Sequence, residues 1–394
     1  MSADTMMLVI DGGEIFAPQP LGELSILTAG ERVAALGADV AGLRGLPLER
    51  LCADDCYVVP GFVDGLTHIT GGGGEGGFAT RTPEMRLTDA VLGGVTTMVG
   101  ALGTDAITQT LPALLAKARA LESEGLTCYC YTGSYQVPVR TLLSTVQEDI
   151  VLVDRFVGVG EVAISDHRSS HPSCHELTRL ASEARVGGML AGKAGIVMIH
   201  TGDADTRLTP LLDVVRQSAL PLTQFWPTHI NRSSDLLQAG IDFAQKGGVI
   251  DFTASTTPDL IAAGDIPCVQ ALSAVLEAGV SVEQVTFTTD GHASLPRFDA
   301  QGQLIGLQIG RMDSLLTTLR QCVLEAGFAL GTALLPITQN PAERLKLPRK
   351  GRLAVGADAD LLVLEKRTLA LRHVVARGRV MLRDGLPVCR GYFD

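Results

Sequence analysis

Eight short apolar runs, separated by stretches of helical period, constrain this chain more than any other feature of it. "VTTMVG" (95–100), "CYCYTGS" (128–134), "FVGVGEVAI" (156–164), "GIVMIH" (195–200), "LTQFWPTH" (222–229), "GVIDFTA" (248–254) and "VTFTTD" (285–290) are apolar on both faces. Such runs read as buried parallel strands. An eighth strand ends near Asp64. Between them, "LPALLAKARALESEG" places Leu111, Leu114, Leu115, Ala118 and Leu121 on one helical face, with Pro112 suited to the first turn and Gly125 to the exit. "VQALSAVLEAG" places Val269, Leu272 and Leu276 likewise and stops at Gly279. Eight strand–helix units of roughly 30 to 40 residues match the arithmetic of a (β/α)8 barrel. The expected fold is therefore α/β, with the barrel over residues 58–346. A doubly wound open sheet is the alternative, without the G-x-G-x-x-G that would accompany it.

The two ends read differently. Residues 1–57 and 347–394 carry short strands punctuated by glycine turns. Neither is long enough to form a stable sheet easily alone, so they are expected to pair into one small β-sandwich domain.

Composition narrows the partners. With 394 residues, 46% of them hydrophobic, the chain can bury a large core. No run reaches the roughly 18 to 20 apolar residues of a membrane span, and the N-terminus does not resemble a signal peptide. A net charge of −11, without a basic cluster, disfavours nucleic acid and favours small-molecule partners. The eight cysteines lack any C-x-x-C spacing and read as reduced thiols, so a cytoplasmic location is expected.

Catalytic groups of such barrels sit at the C-terminal ends of strands. Those ends hold His68, Tyr135, Glu161, His200, His229 and Asp290. A lone histidine there is more often structural than a ligand, but His200 and His229 close successive strands. Glu161 is the most informative, because an ionised carboxylate inside an apolar strand costs several kcal/mol unless it is paired or metal-bound. Neighbouring strands offer no Lys or Arg. Its alternative is to face outward and meet a surface base. Glu161, His200 and His229 suit a catalytic zinc with a fourth position for water, and Asp290 suits a proton acceptor that otherwise caps the turn "DGHAS". Arg168 and Arg232 read as carboxylate-binding forks or as ordinary ion pairs. Glu75, after four glycines, reads as an ammonium acceptor or as part of a flexible loop.

At these residues the chain resembles the amidohydrolase superfamily and, within it, the isoaspartyl (β-aspartyl) dipeptidase family. "VVPGFVD" and "GRLAVGADADLLVLEK" are generic to the superfamily. "GGGGEGGFATRTPE", "LGTDAIT", "YTGSYQVPVRT", "AISDHRSSHP", "RVGGMLAGKAG", "PTHINR" and "TTDGHAS" are specific and fall in the family's order. The resemblance implies hydrolysis of β-aspartyl dipeptides and assembly as a homo-oligomer. It implies His200 and His229 as metal ligands, Asp290 as general acid/base and additional ligand, and Tyr135 as oxyanion donor. Arg168 and Arg232 would hold substrate carboxylates, Glu75 the free α-amino group, and Thr104 and Ser294 the remaining substrate contacts.

Two positions depart from the family's pattern. Its His-x-His is Leu66-Thr67-His68, and its carboxylated lysine is Glu161. Leu66 offers no donor atom, so a site with one zinc is favoured, with His68 a weak ligand or a neighbour of the ligands. A two-zinc site bridged by Glu161 is the alternative. Other expected outcomes are hydrolysis of a different amide, such as an N-acyl amino acid or a cyclic amide, and a binding protein without catalysis.

Overall fold

The computed structural model describes residues 7–298 and 301–394, apart from 44, 46 and 302. Eight parallel strands form its centre: Phe62–Thr67, Val95–Gly100, Thr127–Thr132, Phe156–Ile164, Ile196–Thr201, Phe225–Thr228, Ile250–Thr253 and Val285–Thr288. The first six pair in chain order and the last two pair with each other. Backbone hydrogen bonds join the remaining edges, Ile230 N–H to Asp251 O (3.2 Å) and His68 N–H to Gly291 O (2.8 Å). An open doubly wound sheet lacks such joined edges; this is a TIM-type barrel.

Side chains fill the barrel. Val63, Leu66, Val99, Tyr131, Met198 and Trp226 belong to one buried apolar cluster. Trp226 is large enough to require glycine opposite it: a Cβ on Gly65 would come within 2.5 Å of the indole. A second, larger cluster, including Phe62, Met98, Leu114, Phe156 and Phe252, lies between strands and outer helices.

The helices begin and end where their chemistry dictates. Leu111–Glu124 is capped by the Thr110 hydroxyl, which accepts from Ala113 N–H, and stops at Gly125, φ 120°. Leu115 is only half-buried on it. On Cys268–Glu277 the buried face is Cys268, Ala271, Leu272 and Val275. Val269 and Leu276, expected there, are half-buried at its border. The sixth strand is shorter than its apolar run, because Leu222–Gln224 is a 3-10 turn. The eighth ends at Thr288, so Asp290 lies two residues beyond it, at φ 51°. A hairpin not foreseen in the sequence, Ser294–Phe298 with Leu304–Ile309, follows.

The chain ends form two sheets. Met7–Asp11, Ser25–Ala29, Arg32–Gly37 and Glu49–Cys52 make one. The other joins both ends, since Leu361–Glu365 runs antiparallel to Cys56–Pro60. Leu8, Ile10, Ile26, Val58, Leu361 and Val375 share one apolar cluster. Among the described residues no helix is long and apolar enough to cross a membrane.

One buried acid makes stability depend on pH. Asp251 accepts hydrogen bonds from Thr228 (2.6 Å), Thr286 (2.6 Å) and Thr288 (2.7 Å). Burial outweighs these bonds and pushes its carboxyl up to about 8. A pKa raised on folding stabilises fully below the unfolded value, and that contribution is lost as pH rises through the folded value. Asp251→Asn, which cannot ionise, is therefore expected to gain on the parent by several kcal/mol between pH 4 and pH 8. Denaturant midpoints across that range check this; a constant difference between variant and parent contradicts it.

Candidate functional site

A cavity of about 450 Å³ opens at the C-terminal end of the barrel. His68, Glu75, Thr104, Tyr135, Asp166, Arg168, His200, Arg232, Asp290 and Ser294 all contribute to its wall. Glu161 and His229 are each 1% exposed and lie next to His200 beneath that wall.

The fourth, fifth and sixth strands bring three donors together. Glu161 Oε2 is 3.3 Å from His200 Nδ1 and 3.1 Å from His229 Nε2. One ligand atom from each of the three lies within 4.8 Å of the others. Glu161 thus faces inward, and its outward alternative is not what the strand adopts. Burial opposes its ionisation, yet attraction and hydrogen bonds from His200 and His229 hold its carboxyl well below the usual range. Burial, Arg232 and His200 together push His229 down to about 4. A neutral imidazole is the form that binds metal. The Thr253 hydroxyl, 2.6 Å from His229 Nδ1, orients that ring so that Nε2 faces Glu161. His229 sits at φ 65°, a left-handed conformation uncommon outside glycine and found at functional positions. Two imidazoles and one carboxylate, converging with no Lys or Arg paired to the acid among the described residues, fit a divalent cation.

The first strand supplies the departures. Leu66 is fully buried in the apolar cluster inside the barrel. His68 Nε2 is 3.2 Å from Asp290 Oδ1 and 3.7 Å from Glu161 Oε1, while its Nδ1 finds no hydrogen-bond partner among the described residues. Burial works against charge on both groups, but each favours the charged form of the other. The His68 pKa is raised and the Asp290 pKa lowered.

The remaining wall is a network of charges. Glu75 accepts from Thr104 Oγ1 (3.1 Å), Ser294 Oγ (2.9 Å) and Arg168 Nη1 (3.2 Å). Four residues picked from the sequence therefore meet in one place. The glycine run makes this approach feasible: Gly73, φ 80°, packs so closely on Ser294 that a Cβ would come 2.7 Å from its side chain. The Arg168 guanidinium lies 5.4 Å from the Tyr135 ring centre. The Tyr135 hydroxyl is 2.7 Å from His200 Nδ1, and burial, then the charge of Glu161, pushes its pKa well above the ordinary value. It stays a phenol and a donor. Arg232 Nη1 is 3.3 Å from His200 Nε2.

Sequence reasoning missed Asp166 and Thr253. Asp166 pairs with both Arg168 and His200. It lies inside the "AISDHRSSHP" motif, two residues from Arg168, and that placement was the available signal. Thr253 carried no signal in a run of apolar strand. Away from this cluster, His292 meets Asp89 and His373 Nδ1 accepts from Asp384 N–H.

Comparison with known proteins agrees with this geometry. The Amidohydrolase family model matches residues 266–381. A β-aspartyl dipeptidase of the thermophilic, keratin-degrading Fervidobacterium islandicum AW-1, crystallised with β-Asp-Leu, is 39% identical over 98% of each chain, with a TM-score of 0.92. A second structure of a β-aspartyl dipeptidase from that organism is 38% identical over 97% of this chain and 98% of its own, with a TM-score of 0.88. Dihydropyrimidinase of Brevibacillus agri, 16% identical over 98% of this chain and 97% of its own, shares the fold at a TM-score of 0.67. Sequence identity sustained over the whole length places the chain in the β-aspartyl (isoaspartyl) dipeptidase family of the amidohydrolase superfamily.

Proposed function

We infer that the chain hydrolyses β-aspartyl dipeptides by metal-dependent chemistry. The carrying observation is a buried Glu161–His200–His229 group beside a Glu75–Arg168 ion pair, in a chain 39% identical to a dipeptidase crystallised with β-Asp-Leu. The ligands we assign are Glu161, His200 and His229, for one zinc per chain. The apolar surroundings of Leu66 and the pairing of His68 with Asp290 support one ion rather than two.

Held by Glu161, His200 and His229, a zinc ion would lower the pKa of a water to near 7 and would offer Lewis-acid help to the amide carbonyl. The chain's own groups do the rest. The α-carbon of a β-aspartyl residue carries an ammonium and a carboxylate together. Glu75 and Arg168, 3.2 Å apart, take one each, so the substrate exchanges one ion pair for two. Thr104 and Ser294 steady Glu75 from either side. Arg232, across His200, receives the carboxylate of the departing residue. The Tyr135 phenol donates to the oxygen that gains charge in the tetrahedral state. Asp290, kept ionised beside His68, takes a proton from the attacking water and returns it to the leaving amine.

Around this site we read residues 58–346 as the barrel domain, and 1–57 with 347–394 as one small β-sandwich, supported by the apolar cluster the end sheets share. Leu152, Met189 and Leu190, each about two-thirds exposed or more, support a homo-oligomer. Free cysteines, six of the eight buried, support the cytoplasm.

The test is purified protein assayed with β-Asp-Leu, beside Arg232→Leu. The parent is expected to turn over and to carry about one zinc per chain, in line with the ligand set. Arg232→Leu is expected to lose about 10²-fold or more in kcat/KM, as for a charge pair stripped of one partner, with zinc unchanged. Unchanged kcat/KM removes Arg232 from substrate binding, and a parent inactive with zinc bound removes the proposed reaction.

A further inference from the structure

Asp166 follows the fourth strand (Phe156–Ile164) in a turn that opens with Ser165 at φ 52°. Both of its oxygens are used twice. Oδ1 accepts from the Arg168 backbone N–H (2.7 Å) and from Arg168 Nε (2.9 Å). Oδ2 accepts from Arg168 Nη2 (2.8 Å) and lies 3.0 Å from His200 Nε2. The side chain is 7% exposed, so these contacts are made out of bulk water.

The opposite nitrogen of His200, Nδ1, lies 2.7 Å from the Tyr135 hydroxyl, a donor, and 3.3 Å from Glu161 Oε2. An imidazole that binds a cation through Nδ1 presents a lone pair there, so its proton sits on Nε2. Four groups meet Nε2; the Tyr135 hydroxyl, at 3.5 Å, is bonded more closely to Nδ1, at 2.7 Å. Arg168 Nη2 and Arg232 Nη1, each 3.3 Å away, are donors and leave an N–H unsatisfied. Asp166 Oδ2 is nearer and is the acceptor that the N–H requires.

We propose that Asp166 is a positioning residue with two linked tasks: it fixes His200 in the Nε2-protonated form that leaves Nδ1 for the cation, and it squares the Arg168 fork for the substrate carboxylate. The inference rests on the metal-dependent dipeptidase reading, its first task on the assigned ligands and its second on the substrate contacts. Because one carboxylate serves both groups, cation affinity and substrate affinity fall together when it is replaced. No other wall residue links a proposed ligand to the Glu75–Arg168 pair through hydrogen bonds to each, among the described contacts.

Asp166→Asn keeps an oxygen for the Arg168 backbone N–H, so the turn is retained. Its amide cannot accept from His200 Nε2 and grip both Arg168 nitrogens at once. Zinc affinity, measured by competition with a chelator, is expected to fall 10- to 100-fold, the usual effect of removing a ligand's hydrogen-bond partner. At saturating zinc, KM for β-Asp-Leu is expected to rise about tenfold, with a smaller change in kcat. Arg168→Met is expected to raise KM while zinc affinity stays at the parent value. In the double variant the KM effects are expected to be less than multiplicative, since both act through one contact. If Asp166→Asn melts far below the parent, Asp166→Ser carries the same expectations, its hydroxyl serving the turn. Zinc affinity within twofold of the parent overturns the first task, and fully multiplicative KM effects overturn the second. The zinc measurement needs no substrate, so an inactive parent that binds zinc refutes the dipeptidase reading and leaves the His200 result standing.

Discussion

Glu161→Gln is expected to emerge from purification with almost no zinc and with kcat/KM for β-Asp-Leu lowered on the order of 10⁴-fold. The substitution keeps size and shape but removes the charge that holds two imidazoles and a dication together. Glu161 is surrounded by His68, His200 and His229, and among the described residues its ion pairs are all to these rings. A neutral amide can present its oxygen to only one side and turns a donor toward the other. The fold should survive, because a buried charge is removed and not created. Metal analysis, a thermal melt and the dipeptide assay on one preparation check the three parts. Stoichiometric zinc in a variant retaining a tenth of parental activity sinks the assignment. The companion double variant, Leu66→His with Glu161→Lys, puts imidazole and amine at the two departures and is expected to move zinc from about one towards two per chain, by ligand count.

Asp290→Asn is expected to lower kcat by about 10²- to 10⁴-fold, the range for a missing general acid/base, while zinc stays bound. The carboxylate is buried at 3% exposure, and among the described residues its ion-pair partner is His68, not a member of the three-ligand group. Burial disfavours the charge, but His68 and His229 more than compensate, so the group is ionised at neutral pH. Activity that depends on this base falls as acid protonates it, and the acid limb of the parental kcat/KM profile should vanish from what remains in the variant. Loss of zinc on the same substitution contradicts the assignment by making Asp290 a ligand; an unchanged kcat removes it from proton transfer.

What was legible in the sequence follows from what each segment touches. Strands buried on both faces must be apolar throughout, so "GIVMIH" and "FVGVGEVAI" declare themselves, and a single acid in the second stands out. Helix faces were legible less well. Ala271 and Val275 bury better than Leu276 because they share one helix face with Cys268 and Leu272, and hydropathy alone would rank Leu276 above Ala271. The hairpin after the eighth strand exposes Ile305, Leu307 and Ile309 in alternation, so no buried run marks it. Ligand candidates could be read because they end successive strands. Thr253 and Asp251 could not, since their importance comes from partners on other strands, brought close only by closure of the barrel; Asp166 was legible only as a neighbour of Arg168, its bond to His200 again needing the fold. Leu66 was visible as a departure, yet the reason it is tolerated, an apolar neighbourhood inside the barrel, appears only in three dimensions.

The mutual grip of Glu75 and Arg168 has a consequence for when order is acquired. Two bare opposite charges in an empty cleft would each draw in solvent and wander among rotamers, and every arriving molecule would have to gather them. Held against each other and braced by Thr104, Ser294 and Asp166, they are set once, as the chain folds. Each visitor then meets a rigid template and gives up little beyond its own freedom.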